Sequence, residues 1–344
     1  MKPFKIGAHE VEAGTRRAID LPVSVLSNHT PMTLPVHVLH GAKPGPTLFL
    51  AGVVHGDEIQ GVEIIRRVLR HASLRHLSGT LLAVPIVNAF GFLNHSRYMP
   101  DRRDLNRSFP GSDRGSLASL LADLFMHEVV LRSNYGIDLH TAALHRTNLP
   151  QIRVAPDEPK LLELADAFGP PVVLVSKLRE GTLRQCARDV GVKVLLYEGG
   201  EALRFDEVAI RAGTVGILRV MKHLGMIPAT EPTRGKVLPA FSHASAWLRA
   251  AEGGILRSGR NVGDHVAKGE TVAEVSDPIG DHSVPVISDD DGIVIGRTNL
   301  PIVNRGDALY HIARMKDAKS SRERVRFIGS ELAQAPLIDE DEII

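Results

Sequence analysis

The stretch from Thr47 to Leu69 constrains the fold more than any other. Thr47-Leu48-Phe49-Leu50-Ala51-Gly52-Val53-Val54 is almost free of polar side chains, the pattern of a buried strand. After the polar run His55-Gly56-Asp57-Glu58, the residues Ile59, Val62, Ile65, Val68 and Leu69 recur near helical spacing and set one helix face on a core. A buried strand feeding an amphipathic helix is the building unit of an α/β sheet, and it leaves His55 and Glu58 on the loop between them. A histidine and a carboxylate three residues apart on such a loop can point at one cation, with Gly56 expected to free the turn.

The same rhythm continues. Strand-like runs at 48–53, 79–87, 136–139, 171–175 and 193–197 alternate with helical stretches such as 116–131 and 159–168. Residues before Pro46 read as extra strands at the entry. After Gly225 the run Ile227-Pro228-Ala229-Thr230-Glu231-Pro232-Thr233-Arg234-Gly235 reads as a linker, and short strands with glycine turns follow it. There, Gly254-Ile255-Leu256-Arg257 leading to Val262-Gly263-Asp264 is echoed by Gly292-Ile293-Val294-Ile295 leading to Val303-Asn304-Arg305-Gly306-Asp307. Two copies of one hairpin unit suggest a small closed sandwich. It resembles the biotinyl/lipoyl carrier barrel, whose modified lysine lies in the turn between the halves. Residues 277–285 contain no lysine, so a structural or site-capping barrel is expected. The predicted architecture is α/β: a mixed sheet flanked by helices over 1–228, a small all-β barrel-sandwich domain over 236–314, and a tail over 315–344 that is mobile or contacts another subunit.

Lys plus Arg number 41 against 40 Asp plus Glu, so no global field favours nucleic acid or an acidic membrane, and neither is expected as a partner. No apolar run approaches membrane-spanning length, and the polar start of the chain predicts a cytoplasmic protein. Cys186 is the only cysteine, which excludes an internal disulfide and thiolate clusters, so a metal would have to be held by histidine and carboxylate.

Of the 16 histidines, His71, His76, His127, His223, His243, His265, His282 and His311 lack a partner pattern and are assigned structural roles. His140 differs because Asp138-Leu139 ends an apolar strand and puts it at the sheet edge, where ligands of open α/β sheets collect. His55, Glu58 and His140 would make three ligands of a catalytic zinc, one ion per chain, with a fourth position open to water.

The ordered runs His55-Gly56-Asp57-Glu58, Asp104-Leu105-Asn106-Arg107 and Asp138-Leu139-His140-Thr141 resemble the succinylglutamate desuccinylase/aspartoacylase group of the zinc carboxypeptidase clan, over about Gly52 to Glu201. The resemblance implies a carboxypeptidase-like fold and zinc held by His55, Glu58 and His140. It also implies a substrate carboxylate gripped by Asn106 and Arg107, a carbonyl oxygen assisted by Arg97 or by the nearby Arg102, and a base at Glu198, with Glu201 as its alternative. Arg107 could instead pair with Asp104 for structural reasons. Arg146, Asn148, Gln151, Arg153, Arg179 and Arg184 could line the pocket, and their positive charge favours an anionic substrate.

The expected activity is zinc-dependent hydrolysis of a small anionic N-acyl amino acid or similar amide. Two other readings stand beside it: a zinc carboxypeptidase acting on peptides or glutamyl tails, and a metal-binding module without turnover. A homo-oligomer is compatible with all three.

Overall fold

The computed structural model describes residues 1–228, 239–315 and 318–334. Strands Ser78–Val84, Lys43–Gly52, Tyr135–Ala142 and Lys193–Glu201 lie side by side in that order, each parallel to the next. Their middle stretches are mostly apolar because both faces are covered. Leu48 and Leu50 pack with Ile64, Ile65 and Val68 of helix Gln60–Arg70. Phe49 and Ala51 point the other way, onto Leu121, Ala122 and Phe125 of helix Leu117–Phe125. Of the helical stripe read from the sequence, Ile65 and Val68 are buried in the core together with Ile64, and Leu69 packs against it, whereas Ile59 and Val62 are only half-buried.

Antiparallel strands flank this centre. Pro31–His40 and Thr15–Val25, the expected entry strands, extend one side. On the other side lies Arg146–Val154, which the sequence pattern hid because Arg146, Thr147, Asn148, Gln151 and Arg153 give it a polar texture. This strand joins the two halves of the molecule. One edge pairs with Lys193–Glu201; the other pairs with Gly292–Thr298 along its first part and with Val172–Val175 along its second.

The β-region after residue 239 therefore does not stand apart as a closed barrel. Gly292–Thr298, Ala308–Arg314 and Ser245–Arg249 continue the central sheet. A second sheet of Ser283–Ile287, Thr271–Ser276, Gly254–Ser258 and Ile302–Val303 covers them, burying Leu256, Val272, Val275 and Val286 against Val294, Leu309 and Ile312. The physical reason for the difference is the strand edge: Arg146–Val154 would otherwise expose unpaired backbone groups, and Gly292–Thr298 satisfies them. The internal repeat has a structural counterpart. The short strand His265–Val266 of the first copy pairs with Gly292–Thr298 of the second, and Ile302–Val303 of the second pairs with Gly254–Ser258 of the first.

Part of the expected tail is a helix docked on the core. Residues Ala318–Gln334 form a helix whose Ile328 and Leu332 join the core beside Ile217 and Val220, and Arg211 Nη1 donates to Leu332 O at 3.0 Å. Buried apolar positions on one helix face explain why it docks. Most of the linker and the acidic run 339–342 lie outside the described residues. Among the described residues no helix is long and apolar enough to cross a membrane.

Candidate active site

The parallel strands end along one edge of the sheet, and the three ordered motifs meet there. Strand Lys43–Gly52 leads into Val53, a fully buried β-branched residue held at φ 57°, a conformation such residues rarely adopt. His55 follows. Gly56 is needed for a reason other than turn freedom: an added Cβ would lie 2.1 Å from the carbonyl carbon of Gly91 and 2.4 Å from Ser96 O. Only glycine lets the 91–96 backbone lie on this loop, and that contact delivers Arg97.

His140 lies near the end of Tyr135–Ala142, and Asp138, two residues earlier, shares its face. Asp138 Oδ2 lies 2.8 Å from His140 Nε2, which turns Nδ1 inward. His55 has Asp104 behind it, Nε2 being 3.2 Å from Asp104 Oδ1 without the hydrogen-bond alignment of the Asp138 pair, and its Nδ1 is inward. Glu58 completes the centre: its Oε1 is 2.7 Å from His55 Nδ1 and its Oε2 is 2.7 Å from His140 Nδ1. Burial opposes a charge on Glu58, but the two imidazoles outweigh it and hold its carboxyl well below the usual carboxylate range. Burial likewise opposes a charge on His140, yet Asp138 and Glu58 draw that imidazole well above its ordinary value.

These three side chains can hold a divalent ion. Their ligand atoms all lie within 4.8 Å of one another. The two Nδ1 atoms are 3.2 Å apart, against about 3.3 Å for two nitrogens bound tetrahedrally at zinc distances. A carboxylate lies behind each imidazole, and the one bonded to His140 fixes that ring as the outer partners of metal-bound histidines do.

Around this centre the structure brings most of the remaining candidates together. Arg97 Nη1 is 3.2 Å from Glu58 Oε1, and its Nη2 donates to Asp104 Oδ2 at 2.9 Å. Asp104 is thus Arg97's ion-pair partner. Arg102 is exposed and does not line the cavity. Asn106 is anchored through Oδ1, which accepts from Leu183 N at 2.9 Å, and Arg107 lies beside it on the cavity wall. Glu198 faces the same cavity and accepts from Asn148 Nδ2 at 2.8 Å. Glu201 is occupied elsewhere, accepting from His145 N at 2.8 Å and Asn299 Nδ2 at 3.0 Å. A bulge between Glu198 and Glu201, with Gly200 at φ 71°, separates the two carboxylates.

The cavity measures about 580 Å³, and Arg146, Arg153, Arg179 and Arg184 line it as the sequence suggested. Gln151 does not: it is fully buried and donates to Ile295 O at 3.2 Å. Burial and the nearby Arg153 push the Arg184 guanidinium down to about 10. A larger hollow of about 920 Å³ around Arg16, Lys43 and Arg75 lies elsewhere and contains none of the convergent groups, so the chemistry points to the smaller one.

Several wall residues were not foreseen. Lys177, Ser245, Trp247 and His311 all face the cavity, so His311, given only a structural role from the sequence, is also a wall residue. Its ring stacks on Trp247 with centroids 4.6 Å apart and planes 8° from parallel, and the Arg146 guanidinium lies 5.2 Å from the Trp247 ring. Burial and Arg153 drive the His311 imidazole down to about 3, so it is neutral at physiological pH. Nothing in the local sequence around Trp247 or His311 signals this; the sheet continuation creates it.

The profile of the succinylglutamate desuccinylase/aspartoacylase catalytic domain matches residues 44–224. The chain is 27% identical over 299 residues to N-alpha-acetyl-L-2,4-diaminobutyric acid deacetylase of Halomonas elongata, covering 83% of this chain and 86% of that one. The crystal structure of a succinylglutamate desuccinylase/aspartoacylase from Rhodobacter sphaeroides superposes with a TM-score of 0.76 at 28% identity, covering 87% of this chain and 96% of the other. The product-bound ectoine utilization protein EutE (DoeB) of Ruegeria pomeroyi shares the fold, with a TM-score of 0.78 at 22% identity over 87% of this chain and 95% of that one.

Proposed function

Because the chain belongs to the succinylglutamate desuccinylase/aspartoacylase family, we propose that it is a zinc-dependent deacylase that hydrolyses a small anionic N-acyl amino acid to a carboxylic acid and an amine. The observation that carries this reading is the convergence of His55, Glu58 and His140, each imidazole backed by a carboxylate, with Glu198 across the same cavity. A zinc ion held by those three residues would make water acidic enough to ionise at a pH of about 7 and would polarise the scissile carbonyl.

The protein's own groups do the rest. Glu198 takes a proton from the attacking water and passes it to the leaving nitrogen, general acid-base work worth about a hundred- to ten-thousandfold. Arg97 turns its guanidinium to the oxygen that gains charge as the carbonyl becomes tetrahedral. Asn106 and Arg107 hold the substrate carboxylate, Arg107 through a two-pronged contact and Asn106 through its amide. Lys177, Arg146, Arg153, Arg179 and Arg184 surround the pocket with positive charge, which supports an anionic ligand.

The deacylase reading is favoured over a carboxypeptidase by the wall that Ser245, Trp247 and His311 raise beside the site. A cavity of about 580 Å³ is of small-molecule size and leaves little room for an extended peptide. The activity named for the Halomonas elongata relative, removal of an acetyl group from an amino acid amine, supports the same class.

The test is a panel of N-acyl amino acids, including N-alpha-acetyl-L-2,4-diaminobutyrate, and of short peptides, offered to the zinc-loaded protein and followed by release of free amine. Release from the acyl amino acids alone is expected. Release of C-terminal residues from the peptides would replace this reading with a carboxypeptidase, and no release from either would leave a binding module.

A further inference from the structure

Asn148 has two neighbours that no local motif connects. It is buried in strand Arg146–Val154, and its Nδ2 donates to Glu198 Oε2 at 2.8 Å. On its other side stands Gly296 of strand Gly292–Thr298, paired with Asn148 in register. A Cβ at Gly296 would lie 2.7 Å from Asn148 Oδ1 and 3.4 Å from His311 Cβ. The missing side chain is therefore the space into which the Asn148 amide fits.

The neighbouring register supports the arrangement. Along Lys193–Glu201, Glu198 lies opposite Gln151 and Gly200 lies opposite Asn148, with an irregularity between them. That irregularity lets a side chain two register positions away reach the Glu198 carboxylate. Asn148 offers one amide with a donor end and an acceptor end, and the structure uses the donor end on Glu198. A carboxylate with one oxygen held by a buried amide has fewer rotamers open to it than a free one, which keeps it within reach of a reacting water.

We propose that Asn148 is a positioning residue for Glu198, and that Gly296, in the C-terminal part of the chain, keeps it in place. The β-region after residue 239 would then act on the reaction through a backbone position that touches no substrate. This inference rests on Glu198 being the base.

The test uses the zinc-loaded full chain and the N-acyl amino acid it cleaves fastest. Asn148→Ala removes a hydrogen bond to a charged group, and kcat should fall about ten- to a hundredfold with KM within about twofold of wild type and zinc content unchanged. Gly296→Ala, which adds one methyl group and leaves Asn148 chemically intact, should reproduce the direction of that split. In a Glu198→Gln background, where no carboxylate remains to be positioned, Asn148→Ala should cost almost nothing further.

An equal loss in both backgrounds would mean that Asn148 acts through the fold, and a rise in KM with kcat intact would mean that it binds substrate; either overturns the proposal. If Asn148→Ala does not fold, Gly296→Ala in the two backgrounds carries the same comparison. The two readings fail separately. A Glu198→Gln protein with near-normal kcat removes the base assignment itself, whereas a crippled Glu198→Gln beside an unaffected Asn148→Ala removes only the positioning role.

Discussion

In the parallel half of the sheet the groups that converge on the cavity sit at or near strand ends, while in the C-terminal half they come from the faces of strands. His55 follows Lys43–Gly52 on a loop and His140 lies near the end of Tyr135–Ala142. Trp247 and His311 are mid-strand residues of Ser245–Arg249 and Ala308–Arg314, brought to the site by pairing with each other. The first arrangement supplies the proposed metal ligands and base, because a strand end can change direction and aim a side chain. The second supplies a wall, because a sheet face offers a fixed, period-two array. One cavity is thus built by two devices with different tolerances.

The sharpest way to break this comparison is to remove a strand-end ligand. His140→Ala should abolish both zinc binding and turnover, read by metal analysis and by amine release. Full zinc occupancy in that variant would mean that the ion is held elsewhere and that the motif half is not the chemical half.

A smaller effect is expected at the carboxylate grip. Arg107→Ala should lower kcat/KM for an N-acyl amino acid by about ten- to a hundredfold, the worth of a charge-assisted contact, and should spare the corresponding methyl ester. Equal losses on both would assign Arg107 to supporting the loop that carries Asp104 and Asn106.

The wall should respond more gently still. Trp247→Ala removes the stacking partner of His311 and the ring beside Arg146. A drop in kcat/KM of about two- to tenfold with unchanged zinc content is expected. Loss of zinc from this variant would erase the distinction between the two halves.

The smallest effect belongs to the far end of the same region. Ile279, 85% exposed on the hairpin between Thr271–Ser276 and Ser283–Ile287, lies outside the cavity lining. Ile279→Ser should leave kcat/KM within about twofold. A large change there would extend the site beyond the cavity wall.

The parts of this molecule legible in the sequence are those whose physics is local. The buried run at 47–54 is legible as a strand covered on both faces, although the strand stops at Gly52, and the stripe after it is legible as a helix lying on that strand. His55 and Glu58 follow on the turn between them, three residues apart, and Asp138 and His140 share a strand face by period two. Charge balance, a single cysteine and the absence of long apolar runs follow from composition alone. In each case neighbours along the chain fix the outcome.

What the tertiary structure decided depends on groups far apart in sequence. The polar strand Arg146–Val154 carries no apolar alternation to announce it and is held by hydrogen bonds to partners on both edges. Its open edge recruits Gly292–Thr298, so the expected separate barrel becomes a continuation of the central sheet. That pairing turns His311 and Trp247 toward the cavity and presses Gly296 onto Asn148. The requirement for glycine at position 56 likewise comes from the backbone at Gly91, 35 positions away, as a matter of excluded volume. Strand edges and close backbone contacts are satisfied only once the whole sheet is assembled, so no local pattern in the chain records them.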